Sequence, residues 1–361
     1  MSARLPRDLH PVAWWVWALG LAAAASQTTN PLVLLTIVGV ATCVVMARRS
    51  DQPWARSFRL YVIVGVVIVV LRVLFRVVLG GGVESERVLV NLPQIPLPDW
   101  VLGIRLLGPV TQEAVLAGFY DGLRLATIVI CVGAANALAN PKRLLRSVPA
   151  ALHEIGTALV VAVTMVPQFA DSARRVRMAQ SLRAGDTRRF GRLRRFLLPV
   201  LEDALERSMH LAAGMDTRGY GRSGGVTTRE RWTTGALMLA GLGAICVGVY
   251  AGLDTTAPRV LATPMLAAGV AVAIAGLVGA GRRVSRIRYR PDPWRAPELA
   301  VMASGLAAGA LMWWVARHQV PTAFPDLVSW PTLTTAALVA ATVGLIAAPS
   351  APEPRMAQVS T

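Results

Sequence analysis

The chain has 361 residues, of which 54% are hydrophobic and only 16% charged, and its formal net charge is +17. Soluble domains carry about 25% charged residues, and disordered chains lack this much apolar content. With a mean hydropathy of +0.52, both classes are excluded, and an all-α polytopic membrane protein with a basic cytoplasmic surface is expected.

Apolar runs near the ~20 residues that a bilayer requires recur along the chain. Eight are read as transmembrane helices, at about 12–29, 31–47, 60–79, 119–139, 233–253, 260–280, 299–316 and 327–348. The first run follows Arg4 and Arg7, as a signal peptide would. The next run begins at once, however, so Asn30-Pro31 reads as the tip of a helical hairpin. The loop after the second run holds Arg48, Arg49, Arg56 and Arg59 against Asp51, which places it and the N-terminus in the cytoplasm. Residues 80–118 carry net −2 and several prolines, as an extracellular loop would.

The run at 150–170 is read differently. Fourteen arginines lie in residues 171–231, and a crossing at 150–170 would put them outside. This segment is therefore expected to lie along or dip into the inner leaflet. The organisation that follows is four helices in 1–140, a cytoplasmic block of net +9 in 141–231, two helices in 232–281, and in 282–361 a basic loop, a last hairpin and a cytoplasmic tail.

Within the block, one helix runs to about Leu182 and breaks near Gly185-Asp186. A second is expected to start near Pro199, a residue tolerated in a first turn. Leu198, Leu201, Leu205, Met209, Ala212 and Met215 recur at helical spacing and form one apolar stripe. The stripe is expected to pack on the first helix. Each helix ends in an arginine among small residues, first Arg183-Ala184-Gly185 and then Asp216-Thr217-Arg218-Gly219. A basic residue suits a helix C-terminus. The repetition of the device, 35 residues apart, suggests in addition two similar pockets on a partner, each reading a guanidinium with carboxylates.

Other chemistries find little support. Cys43, Cys131 and Cys246 lie apart, as do His10, His153, His210 and His318, so no metal or redox motif forms. Gly219-Tyr220-Gly221-Arg222-Ser223-Gly224 matches a dinucleotide fingerprint, but a helix precedes it where a strand is required. The chain contains no Walker-type phosphate-binding loop. A secondary transporter would use ionisable groups inside the membrane, for which Arg72, Arg76 and Arg124 are the candidates. A membrane-bound enzyme would draw on His153-Glu154 or on Asp203, Glu206 and His210, which lack metal spacing. Nucleic-acid binding is disfavoured, because Phe169, Phe190 and Phe196 offer few stacking surfaces in the basic block.

The block resembles the coupling region of T components of energy-coupling factor importers, the family that includes the cobalt-transport membrane subunit. The resemblance rests on Asn140-Pro141-Lys142-Arg143-Leu144-Leu145, Met165-Val166-Pro167-Gln168, Ala173-Arg174-Arg175, Ala179-Gln180, Leu197-Leu198-Pro199-Val200-Leu201 and Met215-Asp216-Thr217-Arg218-Gly219-Tyr220-Gly221. His10-Pro11 and Asn30-Pro31-Leu32 also fit, so the likeness spans about 8–255, and about 256–348 is an addition to it. The resemblance implies a non-catalytic scaffold in the cell membrane with no cofactor of its own; the arginine distribution places both termini in the cytoplasm. It implies two ABC-type ATPase partners that carry ATP and Mg, and a small substrate-binding membrane subunit for a vitamin or transition-metal ion. Arg183 and Arg218 would be the docking arginines. Leu182-Arg183-Ala184 and Thr217 depart from the family's Ala-Arg-Gly pattern.

Cysteines introduced at Ala173 and Thr227 are expected to react with impermeant maleimides only from the cytoplasmic side. Labelling of either from outside would place a crossing within 150–170.

Overall fold

A computed structural model describes residues 8–50, 57–78, 88–91, 93, 108–147, 153–182, 189–220, 227–254, 259–283 and 294–353. Thirteen α-helices fall within them: α1 (Pro11–Ser26), α2 (Pro31–Arg48), α3 (Phe58–Val78), α4 (Gln112–Leu138), α5 (Pro141–Arg146), α6 (His153–Leu182), α7 (Arg189–Asp216), α8 (Thr228–Leu253), α9 (Arg259–Arg283), α10 (Ala296–His318), α11 (Val320–Ala323), α12 (Thr335–Thr342) and α13 (Ala347–Ser350). A 3-10 turn, Val343–Ile346, joins the last two. The fold is that of an all-α polytopic membrane protein.

Seven helices are long and apolar enough to cross a bilayer. Six of them, α2, α3, α4, α8, α9 and α10, coincide with expected spans. The first and last expected spans are shorter apolar helices, Pro11–Ser26 and Thr335–Ser350. The seventh long helix is α6, whose apolar half continues without a break into its arginine-rich half. One further difference lies in the long loop, where β1 (Val88–Asn91) pairs antiparallel with β2 (Pro109–Thr111). Helix α4 begins at Gln112, seven residues ahead of its expected start.

Several helix starts share one local device. His10 and Asn30 accept a backbone N–H with their side chains, and a proline follows at the first helical position. Asn140 does the same before Pro141, accepting from Lys142 and Arg143. An Asn or similar cap satisfies a donor that the helix leaves orphaned, and proline's missing N–H costs nothing there.

The chain divides into two compact units, residues 1–144 with 291–361 and residues 145–290. In the first, α1 is enclosed by α4 and α10, and α2 by α4 and α12. Trp17, Leu21, Leu34, Ile37, Val301 and Met312 are fully buried in one core. Backbones come close where α1 crosses α10, because a methyl group on Gly20 or Gly305 would collide with the facing backbone. Helix α3 packs chiefly on α4, leaves Leu60, Ile63, Val67, Val70 and Leu74 exposed, and among its residues buries only Gly65.

The last helices are thus no appendage. They supply walls of the core that α1 and α2 need, and hydrogen bonds lock them in place. Thr28 Oγ1 donates to the Ala323 carbonyl at 2.7 Å, and Asn30 Nδ2 donates to the carbonyls of Thr322 and Thr332, each at 2.8 Å. Trp17 Nε1 donates to the Gly344 carbonyl at 3.0 Å, and Arg48 Nε to the Ala348 carbonyl at 2.7 Å. The bonds to Ala323, Thr322 and Gly344 are buried, so each of those carbonyls would otherwise be a costly orphan.

In the second unit, α8 and α9 pair through small residues. Gly241 faces Ala273, Gly248 faces Leu266 and Gly269 faces Ile245, each too closely for a side chain. This is the close approach that membrane helices use when no hydrophobic effect draws them together.

Asn30→Ala removes two buried donors and a cap together. It is expected to destabilise the protein by about 2–5 kcal/mol in equilibrium unfolding in mild detergent, whereas Gln27→Ala changes little.

Candidate functional site

Helices α6 and α7 form the arginine-rich pair. Helix α7 begins at Arg189, ten residues before the expected start at Pro199, so Pro199 lies inside it. Pro167 lies inside α6 in the same way. Interior proline removes one i→i−4 bond, and the flanking turns carry both helices past it.

The pair does not meet through its leucines. Leu198, Leu201, Leu205 and Met209 are each more than half exposed, Ala212 is exposed, and Met215 is half-buried. The expected packing of this stripe on the first helix is therefore corrected. The contact runs through the polar face. Arg207 Nε donates to Asp203 Oδ1 at 3.2 Å, and its Nη1 donates to Gln168 Oε1 on α6 at 3.4 Å. Arg175 of α6 lies 3.6 Å from Asp203 Oδ2 in an ion pair, and Ser172 of α6 is buried. Asp203 is a half-turn away from the leucines, so a seam through Asp203 turns the stripe outward. The Ser172 hydroxyl and then Arg207 hold the Asp203 carboxyl below the ordinary carboxylate range.

The end of α7 is defined in detail. Gly219 has φ 69°. Its N–H donates to the Asp216 carbonyl at 2.8 Å, and the Tyr220 N–H donates to the Met215 carbonyl at 3.0 Å. The two bonds form a Schellman motif, which glycine enters without a Cβ penalty. Arg218 is the last residue before the turn. It is exposed, as are Asp216 and Thr217, while Gly219 is half-buried. Among the described residues Arg218 has no ion-pair partner. Arg183, Ala184 and Gly185 lie outside the described residues.

The intramembrane arginines have structural surroundings. Arg124 Nη2 donates to the Ser26 carbonyl at the end of α1. The stems of Arg72 and Arg76 lie over Gly122 and Gly118 of α4, where a Cβ would touch them at 3.2 Å. Arg143 lies 3.7 Å from Asp8 and donates to the carbonyls of Asp8 and Leu9, tying the segment ahead of α1 to α5. Among the described residues no group of three His, Cys, Asp or Glu could hold a metal ion.

Sequence reasoning located the end of α7 from its glycine. It missed the Asp203 seam, whose signal was the polar set Gln168, Ser172, Arg175, Asp203 and Arg207 distributed over two helices.

A model of the CbiQ family, described as cobalt transport protein, matches residues 2–228. No curated protein matches the chain.

The seam implies a pH response with a definite sign. The folded-state pKa of Asp203 is lowered, so its stabilising contribution is full above the ordinary carboxylate range and disappears as pH falls through the lowered value. Amide protection factors in 165–180, taken relative to the base-catalysed intrinsic rate at each pH, are expected to fall on acidification. Asp203→Asn is expected to show the lowered protection already at neutral pH, with a flatter pH profile.

Proposed function

This chain belongs to the CbiQ cobalt transport protein family, that of the T components of energy-coupling factor importers, and we propose that it is the subunit that couples ATP hydrolysis to substrate uptake there. The observation that carries the proposal is the end of α7. The Schellman turn presents Arg218, exposed and without an ion-pair partner among the described residues, beside small or short neighbours. A guanidinium held this way suits an acidic groove on an ATPase, because its planar fork engages carboxylates in bidentate fashion. Arg183, with Ala184 and Gly185, is the corresponding residue for a second ATPase.

The chain carries no nucleotide-binding loop, so ATP and Mg belong to the two ATPase partners. Closure of the ATPases on ATP would move the arginine-bearing helix ends, and the Asp203 seam would make α6 and α7 move together. The outward stripe of Leu198, Leu201, Leu205 and Met209 offers an apolar surface to a membrane partner. That partner is the small subunit that binds the substrate, a transition-metal ion such as cobalt or a vitamin. Selection of the substrate lies with it.

Loss of one docking arginine leaves buried carboxylates unpaired on the ATPase, at about 3–5 kcal/mol per site, or on the order of a hundred- to several-thousandfold in affinity. Arg218→Ala and Arg183→Ala are each expected to weaken ATPase co-purification and uncouple transport. The double variant is expected to lose the ATPases while remaining in the membrane, and lysine should rescue poorly. Arg192→Ala and Arg194→Ala are expected to behave as wild type. Equal failure of these controls would make diffuse charge, rather than docking, the operative feature.

A further inference from the structure

Helix α3 carries two cations that its length does not let it hold clear of the hydrocarbon. Phe58–Val78 has 21 residues and is apolar enough to cross a bilayer. At about 1.5 Å per residue it is roughly 32 Å long, hardly more than the ~30 Å of a hydrocarbon core. Arg76 lies two residues, and Arg72 six residues, before its end at Val78. Their Cα atoms are thus about 3 Å and 9 Å below that end. Arg76 sits at the boundary of the hydrocarbon, and Arg72 inside it.

Both side chains leave α3 on the side of α4. A Cβ added at Gly118 would lie 3.2 Å from Arg76 Cβ and Cγ, and one at Gly122 would lie 3.2 Å from Arg72 Cβ. The two glycines make room for the arginine stems. Beyond them Arg72 is exposed and Arg76 half-buried. Helix α4 brings Glu113, Asp121 and Arg124 to this side, and α3 adds only Arg59 at its other end. Arg124 is engaged by the Ser26 carbonyl. Among the described residues neither Arg72 nor Arg76 makes an ion pair, with Glu113, with Asp121 or with any other carboxylate. Glu84, Glu86 and Asp99 lie outside the described residues.

Like charges at i,i+4 repel, and a cation within hydrocarbon is costly unless it is paired. The long stem lets Arg72 reach toward the boundary. That brings its charge to the level of Arg76 and leaves a doubly cationic site there. At this level of a bilayer the counter-charge at hand is the lipid phosphate. Its oxygens suit two planar guanidinium forks. Leu71 and Phe75, next to the arginines in sequence and exposed, offer apolar surface to the chains. We propose that Arg72 and Arg76 together hold the phosphate of one anionic phospholipid at the C-terminal end of α3. The lipid supplies the negative charge that α4 does not. It thereby stabilises in the membrane a helix that packs chiefly on one neighbour.

The test uses the full-length protein in phosphatidylcholine liposomes with a trace of photoactivatable lipid, which carries a diazirine on one acyl chain near the headgroup. Phosphatidylglycerol modified in this way is compared with phosphatidylcholine modified in the same way, and labelled peptides are mapped by mass spectrometry. In wild type, peptides from the end of α3 and from α4 around Gly118 are expected to take phosphatidylglycerol well above phosphatidylcholine. Arg72→Gln and Arg76→Gln are each expected to lower that ratio roughly fivefold, the weight of about one basic residue at a charged membrane. The double variant is expected to bring it close to unity. Labelling of the arginine-rich helices α6 and α7 is expected to stay as in wild type throughout, which separates the site from general attraction to a basic chain. A wild-type ratio near unity would mean ordinary annular lipid, and an undiminished ratio in the double variant would mean that other groups read the headgroup; either overturns the proposal. Excess inorganic phosphate is expected to leave the labelling in place. Its displacement of the lipid would show that the arginines take free anion instead, which also overturns it. If the double variant assembles poorly, the wild-type ratio and the single variants decide.

Discussion

The structure depends on what happens at the tip of the first hairpin. Asn30 uses one side chain for three tasks. Its Oδ1 caps α2 through the Leu32 N–H at 3.0 Å, and its Nδ2 holds the carbonyls of Thr322 and Thr332, almost three hundred residues away. The Asn30 side chain is itself fully buried, and a buried polar group left unpaired costs more than a hydrogen bond contributes. The bond set therefore decides where the last helices go. Once they are fixed, Gly20 and Gly305 can approach, Trp17 can reach the Gly344 carbonyl, and ten of the 16 residues of α1 are buried. A 16-residue helix, short for a bilayer, is sustained by neighbours on several sides.

The arginine-rich pair follows the opposite arrangement. Polar groups face inward between α6 and α7, and apolar ones face outward. A soluble helix pair would reverse this, since burying leucine is the usual source of stability. Here the ionic seam sets the register and leaves the leucines for another surface. Such an element has little reason to be stable alone and good reason to be stable in an assembly.

The two helix ends treat their arginines differently. At α7 the Schellman bonds satisfy the last carbonyls internally, so Arg218 is released from capping. At α10 the Trp313 ring holds the Arg317 guanidinium, which restricts that long side chain.

Composition and pattern alone determined the class of this protein, six of its long membrane helices, the hairpin at Asn30-Pro31 and the end of α7 at Gly219. These follow from local physics: apolar length, cap chemistry and the one residue that tolerates positive φ. The caps made by His10 and Asn140 came from the structure, although a cap acts on neighbours in sequence. Only the tertiary structure decided that the C-terminal helices complete the N-terminal bundle, that Pro199 lies inside a helix, and that Asp203 rather than Leu205 faces α6. Each of these is a choice among faces or partners that are chemically acceptable one at a time. Asn30 can cap a helix wherever it stands. Which distant carbonyls its amide also holds depends on close contacts, such as Gly20 against Gly305, that no local pattern encodes.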